Sequence, residues 1–179
     1  MEFSNIKLIE PTIEYEKDIW QFRQEIISSN DMDKFAGCGN LEKCFSAKEW
    51  IDTIKLHKTV ETCPKDKVPS MIYIAVRETD NRIVGIIDLR YHINTPILST
   101  WGGHMGYYVR PNERKKGYAK EMVRQNLQNC KALNIKKVMI TCDANNSASE
   151  RTILSNGGVF EKNVEVDSCI IKRYWITLK

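Results

Sequence analysis

Gly102-Gly103-His104-Met105-Gly106-Tyr107-Tyr108-Val109-Arg110-Pro111 leads through Asn112-Glu113 into Arg114-Lys115-Lys116-Gly117-Tyr118-Ala119, the most informative part of the chain. Its first half predicts a strand over residues 103–109, and apolar residues spaced by about 3.6 predict an amphipathic helix from about Gly117 to Leu133. N–H groups in the first turn of a helix have no internal partner and attract anions. Gly117 lets the backbone curl around an oxyanion, Ala119 leaves room beside the helix start, and three basic residues precede them. We therefore predict a pyrophosphate site; a solvated basic turn is the alternative.

The pattern of apolar residues predicts further strands and helices on both sides of this stretch. The strands are expected at residues 6–10, 71–76, 82–89, 137–142, 158–166 and 169–177. The helices are expected after Thr12, after Ser46, where Glu49 completes a capping box, and over residues 147–156. This order predicts an α/β (α+β) fold with a central, mostly antiparallel mixed sheet of about seven strands flanked by about four helices. No linker composition interrupts the chain, so a single domain over residues 1–179 is expected.

Charge is concentrated in one part of the sequence. The chain of 179 residues has 27 Lys and Arg against 23 Asp and Glu, a net charge of +4. Residues 110–137 contain nine basic and two acidic residues, a net of +7 that leaves −3 for the remainder. This distribution favours a localised anionic ligand over a nucleic acid, whose binding surface would spread basic residues over a face and use aromatic residues for stacking.

Cysteine usage and hydropathy exclude several other classes. The six cysteines form no C-x-x-C pair and do not combine with the three histidines at zinc-ligand spacing, so no metal site is expected. Residues 1–7 lack the apolar core of a secretory signal, and no stretch approaches the ~20 apolar residues of a membrane span. We expect a cytoplasmic protein with reduced thiols and no membrane association.

The loop and the order of elements around it resemble the GNAT superfamily of acyl-CoA N-acyltransferases. Residues 114–119 match its R/Q-x-x-G-x-G/A motif, and residues 102–111 resemble the GGHIGYxVRP strand of a bacterial subgroup of predicted acetyltransferases. Asn146-Ser147-Ala148-Ser149 and Asn156-Gly157-Gly158 resemble later motifs of that subgroup. The resemblance covers nearly the whole chain and implies acetyl-CoA as cosubstrate. Homodimers are common in this family.

The resemblance also implies which residues hold the coenzyme. The pyrophosphate would lie on the loop residues Arg114, Lys115, Lys116, Gly117, Tyr118 and Ala119. Main-chain groups of Tyr107, Tyr108 and Val109 would pair with the pantetheine arm, and a backbone N–H near Tyr108 would stabilise the oxyanion. The Asn146 side chain would face the coenzyme beyond the fifth strand, although an ordinary helix N-cap is an equally compatible role.

Acyl transfer to an amine requires a neutral amine, so a base is sought beside the thioester. His104 is the candidate, because imidazole titrates near neutrality. Strand alternation places it on the side of Gly106 and Tyr108, whereas the position that the family commonly uses falls on Gly103. A one-residue bulge would return His104 to the cleft. A histidine packed or hydrogen-bonded in the sheet is the alternative.

The other site residues are less well defined by the sequence. Asp88, Arg90 and His92 follow the preceding strand and are candidates for binding the acceptor or holding His104; a solvated strand end is the alternative. Many members of the family carry a general-acid Tyr seven residues after the motif Asn, but Ile153 stands there. No acid is therefore assigned.

The predicted function is transfer of the acetyl group of acetyl-CoA to a primary amine of a small molecule or peptide, by direct attack on the thioester. A noncatalytic acyl-CoA-binding or sensor module is the alternative. Loops 28–45, 61–70 and 91–101 are expected to form the acceptor pocket, and they do not identify the acceptor.

Overall fold

The computed structural model describes residues 5–179, in which seven strands form two antiparallel sheets. The first sheet has the order β1-β2-β3-β4, and the second has the order β5-β7-β6. The strands of the first sheet are β1 (Ile6–Ile9), β2 (Ser70–Arg77), β3 (Arg82–Arg90) and β4 (Tyr107–Val109). Those of the second are β5 (Lys137–Asp143), β6 (Val159–Val166) and β7 (Cys169–Thr177). The predicted α/β class is confirmed, but the sheet is divided where a continuous mixed sheet was expected.

Four α-helices of the described chain cover the sheets. They are α1 (Glu16–Ser28), α2 (Ala47–Leu56), α3 (Tyr118–Ala132) and α4 (Ser147–Ser155). One buried cluster joins α3 and the second sheet to one face of the first sheet, including Met122, Val123 and Ile140. A second cluster places Phe22 of α1 and Trp50 of α2 against the opposite face. Within residues 5–179, no helix is long and apolar enough to cross a membrane.

The first two helices show where the sequence predicted well and where it did not. Ser46 caps α2 as predicted, because its hydroxyl accepts from the Glu49 N–H at 3.1 Å. The Glu49 carboxylate returns to the N–H of Phe45 rather than to Ser46, at 2.8 Å. The first helix begins later than predicted: Thr12 precedes a short 3₁₀ turn without a side-chain cap, and the α-helix starts at Glu16.

Residue Arg110 anchors α1 beneath the loop that follows β4. Its side chain is fully buried and pairs with Asp18 at 2.8 Å and with Glu25 at 2.7 Å, both on α1. Its Nη1 also donates to the Ile83 carbonyl at 2.7 Å. The pairing satisfies a buried charge and fixes the point at which the chain leaves β4. Residues 1–4, part of the segment predicted to lack a secretory signal, lie outside the described residues.

Candidate active site

The two sheets separate between β4 and β5, and His104 joins them where they divide. Its N–H donates to the Met139 carbonyl at 2.8 Å, and its Nδ1 accepts from the Met139 N–H at 2.9 Å. We call this pair of hydrogen bonds the clamp. The gap between β4 and β5 beyond it we call the groove. The loop after β4 borders it on one side, and Asn146 at the start of α4 borders it on the other. In the described residues β4 and β5 are not paired with each other, and that coenzyme binds between them stays a prediction.

The backbone of β4 alternates between β3 and the groove. Arg110 N–H donates to Val84, and Gly106 O accepts from Asp88 N–H, so these residues form hydrogen-bonded pairs with β3. Tyr108, opposite Ile86, has the same parity, and its main chain therefore faces β3. Main-chain groups of Tyr107 and Val109 face the groove. Of the three residues whose main chain was expected to pair with the pantetheine arm, Tyr107 and Val109 face the groove and Tyr108 faces β3.

The predicted strand over residues 103–109 is shorter than expected because the ladder changes at Gly106. Its N–H donates to the Asp88 carboxylate at 2.6 Å, while the Asp88 carbonyl accepts from the buried Asn126 of α3 at 2.9 Å. The register with β3 continues unchanged from Tyr107 to the bond between Arg90 N–H and His104 O. No inserted residue turns His104 to the other face.

The environment of His104 favours a neutral ring. Burial, the charge of Arg90 and the charge of His92 lower its pKa from 6.5 to about 4. Because Nδ1 accepts that bond, the neutral ring carries its proton on Nε2. Such a tautomer donates a hydrogen bond, and it can accept a proton only if the clamp breaks. His104 is therefore built as a link between the sheets, and the role of base stays a prediction.

The other expected acceptor residues bind within the protein. Asp88 is buried, and burial raises its pKa despite the pairing with Arg90 at 2.9 Å. Arg90 also donates to the carbonyls of Gly102 and Gly103 at 2.8 and 3.0 Å. His92 accepts from the Asn94 N–H at 3.4 Å, so it does not join the pair. Neither Asp88 nor Arg90 contacts the His104 ring through a hydrogen bond in the described part of the chain.

The loop after β4 has the backbone that an anion site requires. Gly117 is left-handed with φ 84°, and it is the N-cap of α3. Lys115 is also left-handed, with φ 62°. The Glu121 N–H donates to the Gly117 carbonyl, so the amides of the turn before it have no acceptor inside the helix. This arrangement fits a pyrophosphate, although Arg114 and Lys116 both have ion-pair partners within the chain.

A buried acid supports this loop from beneath. Glu113 accepts from Lys116 Nζ at 2.8 Å and from Arg77 Nη1 at 2.7 Å, and Arg77 also pairs with Asp80. Burial opposes ionisation of Glu113, but the bonds from Lys116 and Arg77 hold its pKa below its usual value. This support was not predicted from the sequence. The available sequence signal for it was an acidic residue, Glu113, within a basic segment.

Two further acids, Asp31 and Asp33, lie in the loop between α1 and α2 and contact the borders of the groove. We call residues 29–33 the acidic strap. Asp31 accepts from Arg114 Nη1 at 2.8 Å and from Nη2 at 2.6 Å, and it also accepts from the Tyr108 hydroxyl. The bond from Arg114 holds the pKa of Asp31 well below its usual range. This segment belongs to loop 28–45, which was expected to help form the acceptor pocket, and nothing in its composition predicts the contacts of Asp31.

The strap also reaches the far side of the groove. Asp33 accepts from Asn146 Nδ2 at 2.9 Å. Asn146 Oδ1 accepts from the Ser149 N–H at 3.0 Å, so this residue is the helix N-cap, as the alternative reading predicted. The Tyr107 and Ser149 hydroxyls lie 2.7 Å apart and join β4 to α4. Asn146 therefore stands at the groove with both of its polar atoms occupied.

Two glycines bring the loop carrying the strap against β4. A Cβ on Gly37 would lie 2.1 Å from the Gly106 carbonyl oxygen, and a Cβ on Gly106 would lie 2.8 Å from the Gly37 nitrogen. Gly37 also has φ 72°. Only glycine fits at both positions, so loop 28–45 packs directly against the start of β4, and its part in an acceptor pocket stays a prediction. Ile153, at the usual acid position, is fully buried.

Comparisons with known proteins agree with this architecture. The family model described as Acetyltransferase (GNAT) domain matches residues 8–159. No curated protein matches the chain significantly. Among solved structures, an N-acetyltransferase from Staphylococcus aureus Mu50 is 15% identical with a TM-score of 0.65, covering 98% of this chain and all of the other. The microcin C7 self-immunity acetyltransferase MccE, in complex with acetyl-CoA and AMP, is 18% identical with a TM-score of 0.63, covering 97% and 92%.

A chimera of the spermidine N-acetyltransferase SpeG from Vibrio cholerae is 15% identical with a TM-score of 0.65, covering 97% of this chain and 96% of its own. At these identities the likeness concerns the fold. Within residues 5–179, no group of three or more His, Cys, Asp or Glu could hold a metal ion.

Proposed function

The chain belongs to the GNAT acetyltransferase family, and we propose that it transfers the acetyl group of acetyl-CoA to a primary amine of a small molecule or peptide. The observation that carries this proposal is the left-handed turn at Gly117, which starts α3 beside the groove. A helix start with free-standing amides and nearby cations suits a pyrophosphate. Lys115 has no ion pair within residues 5–179 and adds charge there.

The proposed coenzyme contacts follow from these positions. The loop residues Arg114, Lys115, Lys116, Gly117, Tyr118 and Ala119 would hold the pyrophosphate. The groove-facing main chain of Tyr107 and Val109 would pair with the pantetheine arm, and Asn146 would close the far side. The bound coenzyme supplies a thioester that is already activated, so few protein groups are needed for the chemistry.

The protein's contribution is to orient the groups and stabilise charge. A groove-facing N–H of β4 would donate to the oxyanion that develops on the carbonyl. Since His104 binds Met139 through Nδ1, we expect the acceptor amine to lose its proton to water rather than to this ring. A CoA thiol resembles cysteine, with a pKa of ~8.5, so it can leave as a thiolate without an acid at Ile153.

Calorimetry with CoA and with acetyl-CoA tests the coenzyme site directly. Binding with a Kd below millimolar is expected, and no heat at millimolar ligand would contradict the proposal. A panel of primary amines, followed by release of free thiol, then tests the transfer. Turnover with one class of amine identifies the acceptor.

A noncatalytic acyl-CoA-binding module is the second candidate. It is favoured by Ile153 at the acid position and by the occupied Nδ1 of His104. It predicts coenzyme binding without thiol release for every amine in the panel. Turnover with any amine decides against it.

A further inference from the structure

We propose that the acidic strap closes the coenzyme groove by occupying the groups that would bind coenzyme, so that coenzyme binding is an exchange of partners. This inference rests on the proposed function, because it concerns the same groove. It adds that Asp31 and Asp33 set the affinity for coenzyme. Neither residue belongs to the motif that carries the family resemblance.

The exchange is clearest at Arg114. This side chain is assigned to the pyrophosphate, yet its two Nη atoms form a fork on the Asp31 carboxylate. Its Nε donates to the Val109 carbonyl at 3.2 Å, which is one of the main-chain groups assigned to the pantetheine arm. Its guanidinium also lies 5.1 Å from the Tyr108 ring. The internal bonds of Arg114 therefore occupy two proposed coenzyme contacts, its own guanidinium and the Val109 carbonyl.

The other end of the strap completes the closure. Asp33 occupies the Nδ2 of Asn146 across the groove from Arg114. Asp31 and Asp33 are two residues apart, so one short segment contacts both borders of the groove. Between the two acids, Met32 is 96% exposed and does not anchor the segment in the core. The strap is therefore held chiefly by its polar contacts with the groove.

These contacts are suited to exchange because they are near solvent. The side chains of Arg114 and Asp31 are 38% and 27% exposed, and ion pairs with such exposure contribute little net stability. A coenzyme phosphate offers Arg114 the same bidentate geometry with additional negative charge. Coenzyme then displaces Asp31, and the released strap leaves the groove open.

Neutralising Asp31 should therefore strengthen coenzyme binding. We expect Asp31→Asn to lower the calorimetric Kd for CoA about fivefold, because the competing pair of modest strength is lost. Asp33→Asn should change the Kd in the same direction. The matched control is Asp52→Asn, which removes the same charge from an ion pair with Lys48 on the exposed face of α2. It should bind CoA as the wild type does.

Two further measurements separate exchange from a general charge effect. In an Arg114→Gln background, Asp31→Asn should change the Kd for CoA by less than about twofold, since the partner is absent. Amide hydrogen exchange in residues 31–33 should accelerate when CoA is added to the wild type. Circular dichroism confirms that each variant is folded.

The outcomes distinguish this inference from the proposed function. Tighter binding by Asp31→Asn, lost in the Arg114→Gln background, supports the exchange. Wild-type binding of CoA with an unchanged or weaker Asp31→Asn, or slower amide exchange in the strap, overturns the exchange and leaves the coenzyme site standing. Absence of CoA binding by the wild type and every variant overturns both.

Discussion

Positively charged residues between Arg110 and Lys137 lie in different environments, and this limits what a local net charge can predict. Arg110 is fully buried against two acids of α1. Arg124 pairs with Glu121 on the exposed side of α3 at 2.7 Å. Arg114 and Lys116 stand at the groove with internal partners. Four of the nine basic residues of this segment, all within the described chain, are therefore paired with acids that are distant in sequence or in adjacent turns.

Arg110→Met should destabilise the protein by about 3 kcal/mol, because it leaves Asp18 and Glu25 without their shared cation in a partly buried place. Urea denaturation measures the free energy of unfolding. Arg124→Met is the control, since removal of an exposed pair costs about 1 kcal/mol or less. Equal losses in the two variants would mean that burial of the Arg110 network contributes nothing.

His104 can be tested by a substitution that separates its two proposed roles. Asn places an oxygen acceptor close to the position of Nδ1, so His104→Asn should keep the bond to the Met139 N–H, whereas His104→Ala loses it. We expect kcat for His104→Asn within about threefold of wild type in an amine assay. A general base contributes roughly 10²–10⁴-fold, so equal losses of that size in both variants would restore His104 as the base.

At the scale of elements, the loop before α3 depends on one backbone conformation. Gly117 and Gly157 have nearly equal φ values of 84° and 85°, but Gly117 starts α3 at the groove and Gly157 follows α4. A Cβ at Gly157 would meet nothing within 4 Å. Alanine at either position therefore carries a similar left-handed strain of about 1–2 kcal/mol.

The pair of substitutions separates strain from function. Gly117→Ala should weaken CoA binding about tenfold by shifting the amides of the turn, whereas Gly157→Ala should lose stability alone. Calorimetry with CoA and thermal unfolding measure the two effects. Similar CoA affinities in both variants would show that the turn at Gly117 is not the anion site.

Residue spacing along the chain predicted those elements whose structure depends on residues close in sequence. The stripe of apolar residues on α3 and the cap at Ser46 can be read from spacing, because both depend on neighbours within one or two turns. The shortness of β4 could not be predicted in this way, because Asp88 and Asn126, which lie on other elements, replace the regular backbone hydrogen bond at Gly106. The contacts of Asp31 and Asp33 with Arg114 and Asn146 join residues far apart in sequence. No single-sequence pattern encodes such pairs.

At the scale of the molecule, the backbone N–H and the ring of His104 join the two sheets beside the groove. The bond lies between elements separated by α3, so it connects the two halves of the chain. A strained or broken clamp would alter how the sheets diverge. The same residue therefore affects both the shape of the groove and the stability of the whole fold.

Acidification should weaken the fold through this clamp. The His104 pKa falls from 6.5 to about 4 in the folded protein, so the unfolded chain binds more protons between these values. The free energy of unfolding then decreases as the pH falls from about 6.5 towards 4, by about 3 kcal/mol at most from this group. Above pH 7 the contribution is fully present.

His104→Asn removes this titration and provides the comparison. Urea denaturation at pH 7.5 and pH 4.5 should show a smaller loss of unfolding free energy for the variant than for the wild type. Asp88, with its raised pKa, and His57, with its lowered pKa, are present in both proteins, so their contributions cancel in the difference. Parallel losses in the two proteins would mean that His104 is not held neutral by its burial and the Met139 bond. A difference confined to the acid range would tie the junction of the sheets to the protonation of this one ring.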